Sequence, residues 1–439
     1  MFGKKDLPAL EILIYVILMA SSALMVLLTA RNYSTRVLLG ILLSVPWLLS
    51  VNLKEMLKAE KKLKLMWIGN LLISVFYGIA GIMFRNLSYL IIAGTISVIV
   101  PILQKHFIDR KDEVINRISL ASFFFMVFYI ILSFLCGRPI TTDQFGGVLH
   151  NQNALGLICT IVLPAGLILF RIDRYKVIGL ITIGITLTFT LFSCSRTAII
   201  SNIAQLIYAG FVISLDVKGK RITSKDVMKR IASIILVFLL SFFSLFWLFT
   251  TGKTAEAKAL PQIQIQEEYQ RNLTLGELMS KLYGRAIQGI GDGNLNYNFS
   301  SGRMGIWKDY AENIGFFGHE KEEREQVVSG TRRYESTNAH NAYLQLAYGG
   351  GLFAGIGLII VTLLSGYGCI DKSMEAIKKK KISLKNYYTI MTVLGYGATI
   401  ITSSSWMMYV HLPALFYWIA TGCLVVRENA LEAQKVENY

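Results

Sequence analysis

The chain has 439 residues, of which 54% are hydrophobic and only 16% charged, and a formal net charge of +16. That balance excludes an ordinary soluble domain, in which charged residues make up about a quarter of the chain. The lysines and arginines sit mainly in short stretches between apolar segments, so the positive charge reads as membrane topology rather than as a nucleic-acid surface.

Apolar runs recur along nearly the whole sequence, each of about twenty residues and long enough to cross roughly 30 Å of hydrocarbon as a helix. Backbone groups in lipid have to be satisfied within the segment, so an all-α, polytopic membrane helical bundle follows. Twelve spans are predicted, at 7–29, 37–53, 65–84, 87–104, 118–136, 152–170, 177–193, 197–215, 231–250, 341–369, 387–404 and 406–426. The first is too long for a signal-peptide core and no small-residue cleavage site follows it, so it is expected to stay as an anchor. An even number of spans puts both termini on one side. That side holds Lys4, Lys5, the lysines of 54–64 and the charged stretches 105–117, 171–176, 218–230 and 372–385. The opposite short connections carry only Arg31, Arg36, Arg85, Arg138 and Arg196, so the first side is expected to be cytoplasmic. The five cysteines, Cys136, Cys159, Cys194, Cys369 and Cys423, lie in or at the ends of apolar segments without metal-ligand spacing. They are expected to be small buried hydrophobes, with a Cys136 to Cys194 bridge as the alternative.

Between spans nine and ten lies one large polar segment that faces outward on this topology. It divides the chain into spans one to nine (1–250), an extracytoplasmic loop (251–340), and spans ten to twelve with a cytoplasmic tail (341–439). A loop of that length among short connections is functional or disordered. Its aromatics Tyr269, Tyr283, Trp307, Tyr310, Phe316 and Phe317 argue for an ordered cap on the membrane. The cytoplasmic loops contain no nucleotide-binding glycine motif, and no internal repeat is visible.

Four short stretches converge on the outer face. Asn151-Gln152-Asn153 opens span six, Ser193-Cys194-Ser195-Arg196 opens span eight, and Thr337-Asn338-Ala339-His340 opens span ten. All three spans run inward, so unpaired N–H groups and the positive ends of helix dipoles point outward, a setting that attracts phosphate. The fourth stretch lies in the loop, where Arg303, Trp307 and Tyr310 follow Ser301 at helical spacing. A guanidinium fork suits phosphate oxygens, and flat aromatic faces suit the C–H surfaces of sugars. Each residue also has a plainer reading. Arg196 could snorkel at the interface, Arg303 could pair with a nearby glutamate, and His340 could bond to Asn338 or the loop. Trp307 and Tyr310 could form an interfacial belt, and Asn151 and Asn153 could only cap span six. The glycines of 349–357 read as a helix-packing surface.

Taken together, Asn153-Ala154-Leu155, Ser195-Arg196, Ser301-Gly302-Arg303 with Trp307, and His340-Asn341 with Tyr343-Leu344 leading into Gly350, Gly351 and Gly355 resemble the O-antigen ligase and polysaccharide polymerase superfamily. The resemblance covers about 151–355. It implies an inverting glycosyltransferase of the membrane-embedded C type in a bacterial cytoplasmic membrane, moving a glycan from undecaprenyl diphosphate to a glycan or lipid acceptor. Such an enzyme uses no metal or cofactor, and the membrane lipid, the lipid-linked donor and the acceptor are its partners, with no nucleic acid. The family's functional residues match Arg196, Arg303 and His340 here. Substrate-binding residues are expected among Asn151, Asn153, Ser195, Trp307, Tyr310, Arg332, Arg333 and Asn341. Metal-dependent C-type members would be expected to show carboxylates in the first outer loop, and 31–36 has none.

The residues suit this chemistry. Guanidinium groups aimed at the leaving diphosphate stabilise its developing charge. His340 is expected in the first helical turn, where the dipole disfavours imidazolium and a neutral ring can accept a proton from an acceptor hydroxyl. Nothing in the residues separates a polymerase from a ligase. A transporter or flippase of lipid-linked oligosaccharide is the competing class, against which stand spans nearly free of charge in their middles. A peptidoglycan polymerase of the shape, elongation and division type fits the Ser-Arg and His-Asn motifs less well.

Overall fold

The computed structural model describes residues 12–13, 15–17, 61–135, 145–149, 152–251, 274–287, 303–321, 324–327, 334–337, 339–402 and 412–426. In chain order the helices are α1 (Lys61–Met83), α2 (Leu87–Gly94), α3 (Val100–Leu135), α4 (Gln152–Arg171), α5 (Lys176–Ser193), α6 (Arg196–Lys218) and α7 (Ser224–Thr251). They continue with α8 (Leu275–Ile287) and α9 (Arg303–Glu312), then an antiparallel pair of strands, β1 (Arg324–Val327) and β2 (Tyr334–Thr337). Helices α10 (Ala342–Gly350), α11 (Leu352–Lys379), α12 (Leu384–Thr402) and α13 (Leu412–Val425) complete the chain.

Among the described residues, 8 helical segments are long and apolar enough to cross a membrane. They are Lys61–Met83, Leu87–Lys105, Val114–Leu135, Gln152–Arg171, Asp173–Ser193, Arg196–Lys218, Ser224–Thr250 and Leu352–Lys379. Seven match expected spans to within a few residues; α12 lies where span eleven was expected and α13 where span twelve was. The expected spans 7–29 and 37–53 fall almost wholly outside the described residues. α4 is the bundle's axis, buried from Ala154 to Phe170 and packed against α3, α5, α6 and α12. Peripheral α7 presents most of its surface outward and joins the bundle through α5, where Phe189 and Phe192 meet Phe242, Phe246 and Phe249.

Two expectations about connections are corrected. The charged stretch 105–117, expected as a loop, is helical within α3. It has no glycine or proline and is rich in good helix formers, so its charges do not break the backbone pattern. The irregularity comes earlier, as a π-helical turn at Thr95–Ile99 just before Pro101, whose ring removes an N–H and crowds the preceding turn. The second correction concerns span ten. It does not run from 341 but breaks at Gly351, with φ 91° and ψ 169°, between the short α10 and the long α11. A side chain at Gly351 would also collide with the Phe316 carbonyl, so only glycine fits there. The neighbouring glycines behave as expected, since a Cβ at Gly357 would lie 2.6 Å from the Gly69 carbonyl oxygen of α1.

The break exposes backbone groups that the loop satisfies. Leu352 donates to the Gly315 carbonyl at 3.1 Å, and His319 donates its backbone N–H to the Gly349 carbonyl at 3.3 Å. The His319 ring stacks on Tyr348 at 4.0 Å and its Nδ1 meets the Tyr348 carbonyl at 3.0 Å. Phe316 and Phe317 pack on Phe76 of α1, which stacks on Phe353 of α11. Asn86 caps α2 and reaches the Glu320 carbonyl at 3.0 Å. The segment 315–320 is therefore a strap tied to the bundle.

At the opposite end, Asp216 of α6 is 4% exposed and accepts from Arg171 at 2.8 Å and Arg221 at 3.0 Å. Arg221 also bonds to the Lys380 carbonyl after α11, and Arg171 lies over the Tyr387 ring of α12. Converting Asp216 to asparagine strands two guanidinium groups, a loss expected to be about 3 kcal/mol. The measurement is the melting temperature in detergent, which should fall clearly below that of the parent.

Candidate functional site

The α5–α6 turn contains only Cys194 and Ser195, so the chain reverses within two residues. Cys194 adopts the left-handed conformation, φ 48° and ψ 22°, and is buried; Cys136, the other half of the alternative bridge, lies outside the described residues. Ser195 is the N-cap position of α6 but makes no side-chain cap bond; its hydroxyl donates instead to Asn153 Oδ1 at 3.2 Å. A Cβ on Gly156 would lie 2.8 Å from Ala198 Cβ and 2.9 Å from Ser195 Cβ, so glycine lets the starts of α4 and α6 touch. Asn153 and Ser195 thus lock two helix N-termini side by side, and Arg196 is the first residue of its helix.

Arg303 opens α9 and His340 precedes α10, and both are half-buried. Burial, and then the nearby Arg196 guanidinium, pull the Arg303 pKa below its ordinary value. Burial, and then the Arg303 charge, pull the His340 pKa down in turn. Though far apart in sequence, Arg303 is therefore near enough to feel the field of Arg196, and His340 that of Arg303. Two cations and an imidazole whose pKa is pulled down form one cluster at the N-terminal ends of α4 and α6.

His340 is not in the first helical turn. Asn341 is the N-cap of α10, and its side-chain oxygen accepts from the Tyr343 and Leu344 N–H groups at 3.0 and 3.2 Å. His340 is one residue outside, with φ 47°. The lowering of its pKa therefore comes from burial and then from Arg303 rather than from a first-turn position. Asn341, expected to bind substrate, has its carbonyl oxygen committed to the cap.

Tyr310, expected as a sugar platform, is fully buried. Its ring lies 4.8 Å from that of Tyr348, in a cluster with Ala339, Ile306 and Leu344 that fastens α9 to α10. The helical spacing that grouped it with Arg303 and Trp307 is real, but i+7 has turned inward. Trp307 is half-buried, and its indole N–H is buried with no hydrogen-bond acceptor among the described residues. On the helix that carries Arg303, it is a donor available to a ligand oxygen. Asn151, Arg332 and Arg333 lie outside the described residues, as do Ser301 and Asn338.

No protein-family model, curated protein or solved structure matches this chain. Its site is therefore read from its own residues. Two positioning residues escaped the sequence reading. Gln345 is buried inside α10, and its side-chain oxygen accepts from the Ala339 N–H at 2.7 Å, fixing the backbone just before His340. Tyr348 carries both Tyr310 and His319 on its ring. A buried glutamine in an apolar helix was a usable signal; the tyrosine, among 21 in the chain, was not. Among the described residues, no three His, Cys, Asp or Glu side chains gather as a metal site requires.

Proposed function

We propose that this chain is a membrane glycosyltransferase that moves a glycan from an undecaprenyl-diphosphate-linked donor to a glycan or lipid acceptor on the outer face of a bacterial cytoplasmic membrane. On this reading twelve spans place both termini in the cytoplasm, and the cluster faces outward. The observation that supports it most is the convergence of Arg196, Arg303 and His340 beside two helix N-termini. The arrangement suits departure of a diphosphate with inversion at the sugar carbon. Arg196 and Arg303 hold the phosphate oxygens as the glycosidic C–O bond breaks, and charge grows where the guanidiniums already point. Neutral His340 accepts the proton of the acceptor hydroxyl as the new C–O bond forms. Asn153 and Ser195 position the helix starts, and the Trp307 N–H donates to a glycan or phosphate oxygen.

Mass analysis of lipid-linked glycans in cells with and without the gene tests this. A missing polymerase leaves single repeat units on the carrier, and a missing ligase leaves long chains on it. An unchanged population of lipid-linked glycans would remove the reading. Reconstituted vesicles in which the protein moves a lipid-linked sugar across the bilayer without altering its covalent structure would replace it with transport.

A further inference from the structure

Helix α8 carries an apolar face that the site does not use. Leu275, Met279 and Tyr283 recur every fourth residue and are exposed by 38%, 54% and 69%. Beside that stripe, Leu278 is 1% exposed and belongs to the same hydrophobic core as the membrane helices. The helix is thus seated on the bundle with an adjoining apolar strip left open.

Its start is well defined. Thr274 and Glu277 form a reciprocal cap, with the Thr274 N–H bonded to the glutamate at 2.7 Å and the Glu277 N–H to the threonine hydroxyl at 3.2 Å. On the helix projection Glu277 and Lys281 fall on the side opposite the stripe, roughly 200° round from Met279 in the case of Lys281. One side is apolar and the other charged, the pattern of a helix lying at a water–lipid boundary. Its location agrees. The preceding helix, α7, ends beside the α5–α6 turn, since Phe249 packs on Phe145 and Phe189. Trp247, one turn before that end, is 67% exposed, as an interfacial anchor would be. α7 therefore ends on the side of the bundle that carries Arg196, and α8 meets the shared core through Leu278.

We propose that α8 lies flat on the bilayer at the outer end of the bundle, with Leu275, Met279 and Tyr283 seated in the lipid. The occupant of the face is the bilayer itself, because the strip adjoins Leu278, which packs in the core shared by the membrane-spanning helices, and is itself left exposed. The helix then tethers the polar loop to the membrane surface from which a lipid-linked substrate would be presented. The inference needs only that the bundle spans a membrane, and it stands or falls independently of the glycosyl-transfer reading.

The test is photo-cross-linking of the full-length chain in phosphatidylethanolamine and phosphatidylglycerol vesicles, with p-benzoylphenylalanine replacing Tyr283 in one variant and Lys281 in another. An aromatic ring replaces an aromatic ring at 283, and 281 is on the charged side, so both variants keep the fold. Phospholipid adducts, read by mass spectrometry, are expected at 283 and at least tenfold fewer at 281. An absence of lipid adducts at 283, equal yields at the two positions, or a product of twice the chain mass would each overturn the proposal. The readout requires no catalysis, so a failed transfer assay leaves it intact.

Discussion

Replacing Arg303 with alanine should slow glycan transfer by about 10²–10³-fold, the usual loss when one pre-aimed donor is taken from a developing oxyanion. The same substitution should leave the melting temperature in detergent unchanged or slightly higher. This second expectation follows from the sign of the pKa shift. A guanidinium whose pKa is lowered by burial and by Arg196 is held less favourably in the folded chain than in water, so its charge contributes no folding stability. Arg196→Ala should show a rate loss of similar size, and the double variant less than the product of the two, because both act on one group. Arg303→Lys should recover only part of the rate, since it keeps a charge but not the two-pronged fork. Wild-type product from both single variants would end the diphosphate role.

How much of this was legible in the sequence depends on which physical signal each residue carries. The membrane helices announce themselves, because twenty apolar residues in succession have few other fates, and seven of the eight long segments fall where hydropathy puts them. Hydropathy is silent on the break at Gly351, since a left-handed glycine leaves the apolar run uninterrupted. That is why span ten was expected about ten residues too early. The site divides in the same manner. Arg196 and His340 were recognisable because each flanks a helix start, a position set by local sequence. Tyr310 was misassigned because spacing along α9 gives its face but not the neighbour that the face meets; only the fold brings Tyr348 against it. Phe316 and Phe317 were read only as part of an ordered cap over the whole loop; their partners Phe76 and Phe353 come from two helices far apart in the chain.

The histidine offers the sharper test, because its protonation state is tied to the arginine beside it. His340→Ala should reduce transfer by about 10²–10⁴-fold, the range for loss of a general base. The pH dependence should carry a specific sign. The active form is the neutral ring, and burial and then Arg303 place its pKa below the ordinary value of about 6.5. The rate should therefore fall in acid as imidazolium forms, with the midpoint of that fall below the ordinary imidazole value. The same shift makes the unfolded chain the better proton acceptor, so the ring's contribution to stability is present above the ordinary value and fades as acid approaches the folded one. In Arg303→Ala the second cause of the shift is gone while the larger one, burial, remains. The acid limb of the residual rate should then move toward, but not reach, the ordinary imidazole value. An acid limb that sits in the same place in the parent and in Arg303→Ala would mean that the group titrating there is not His340 beside Arg303. A limb above 6.5 in the parent would mean that the base is held by a carboxylate instead of being pressed by a cation.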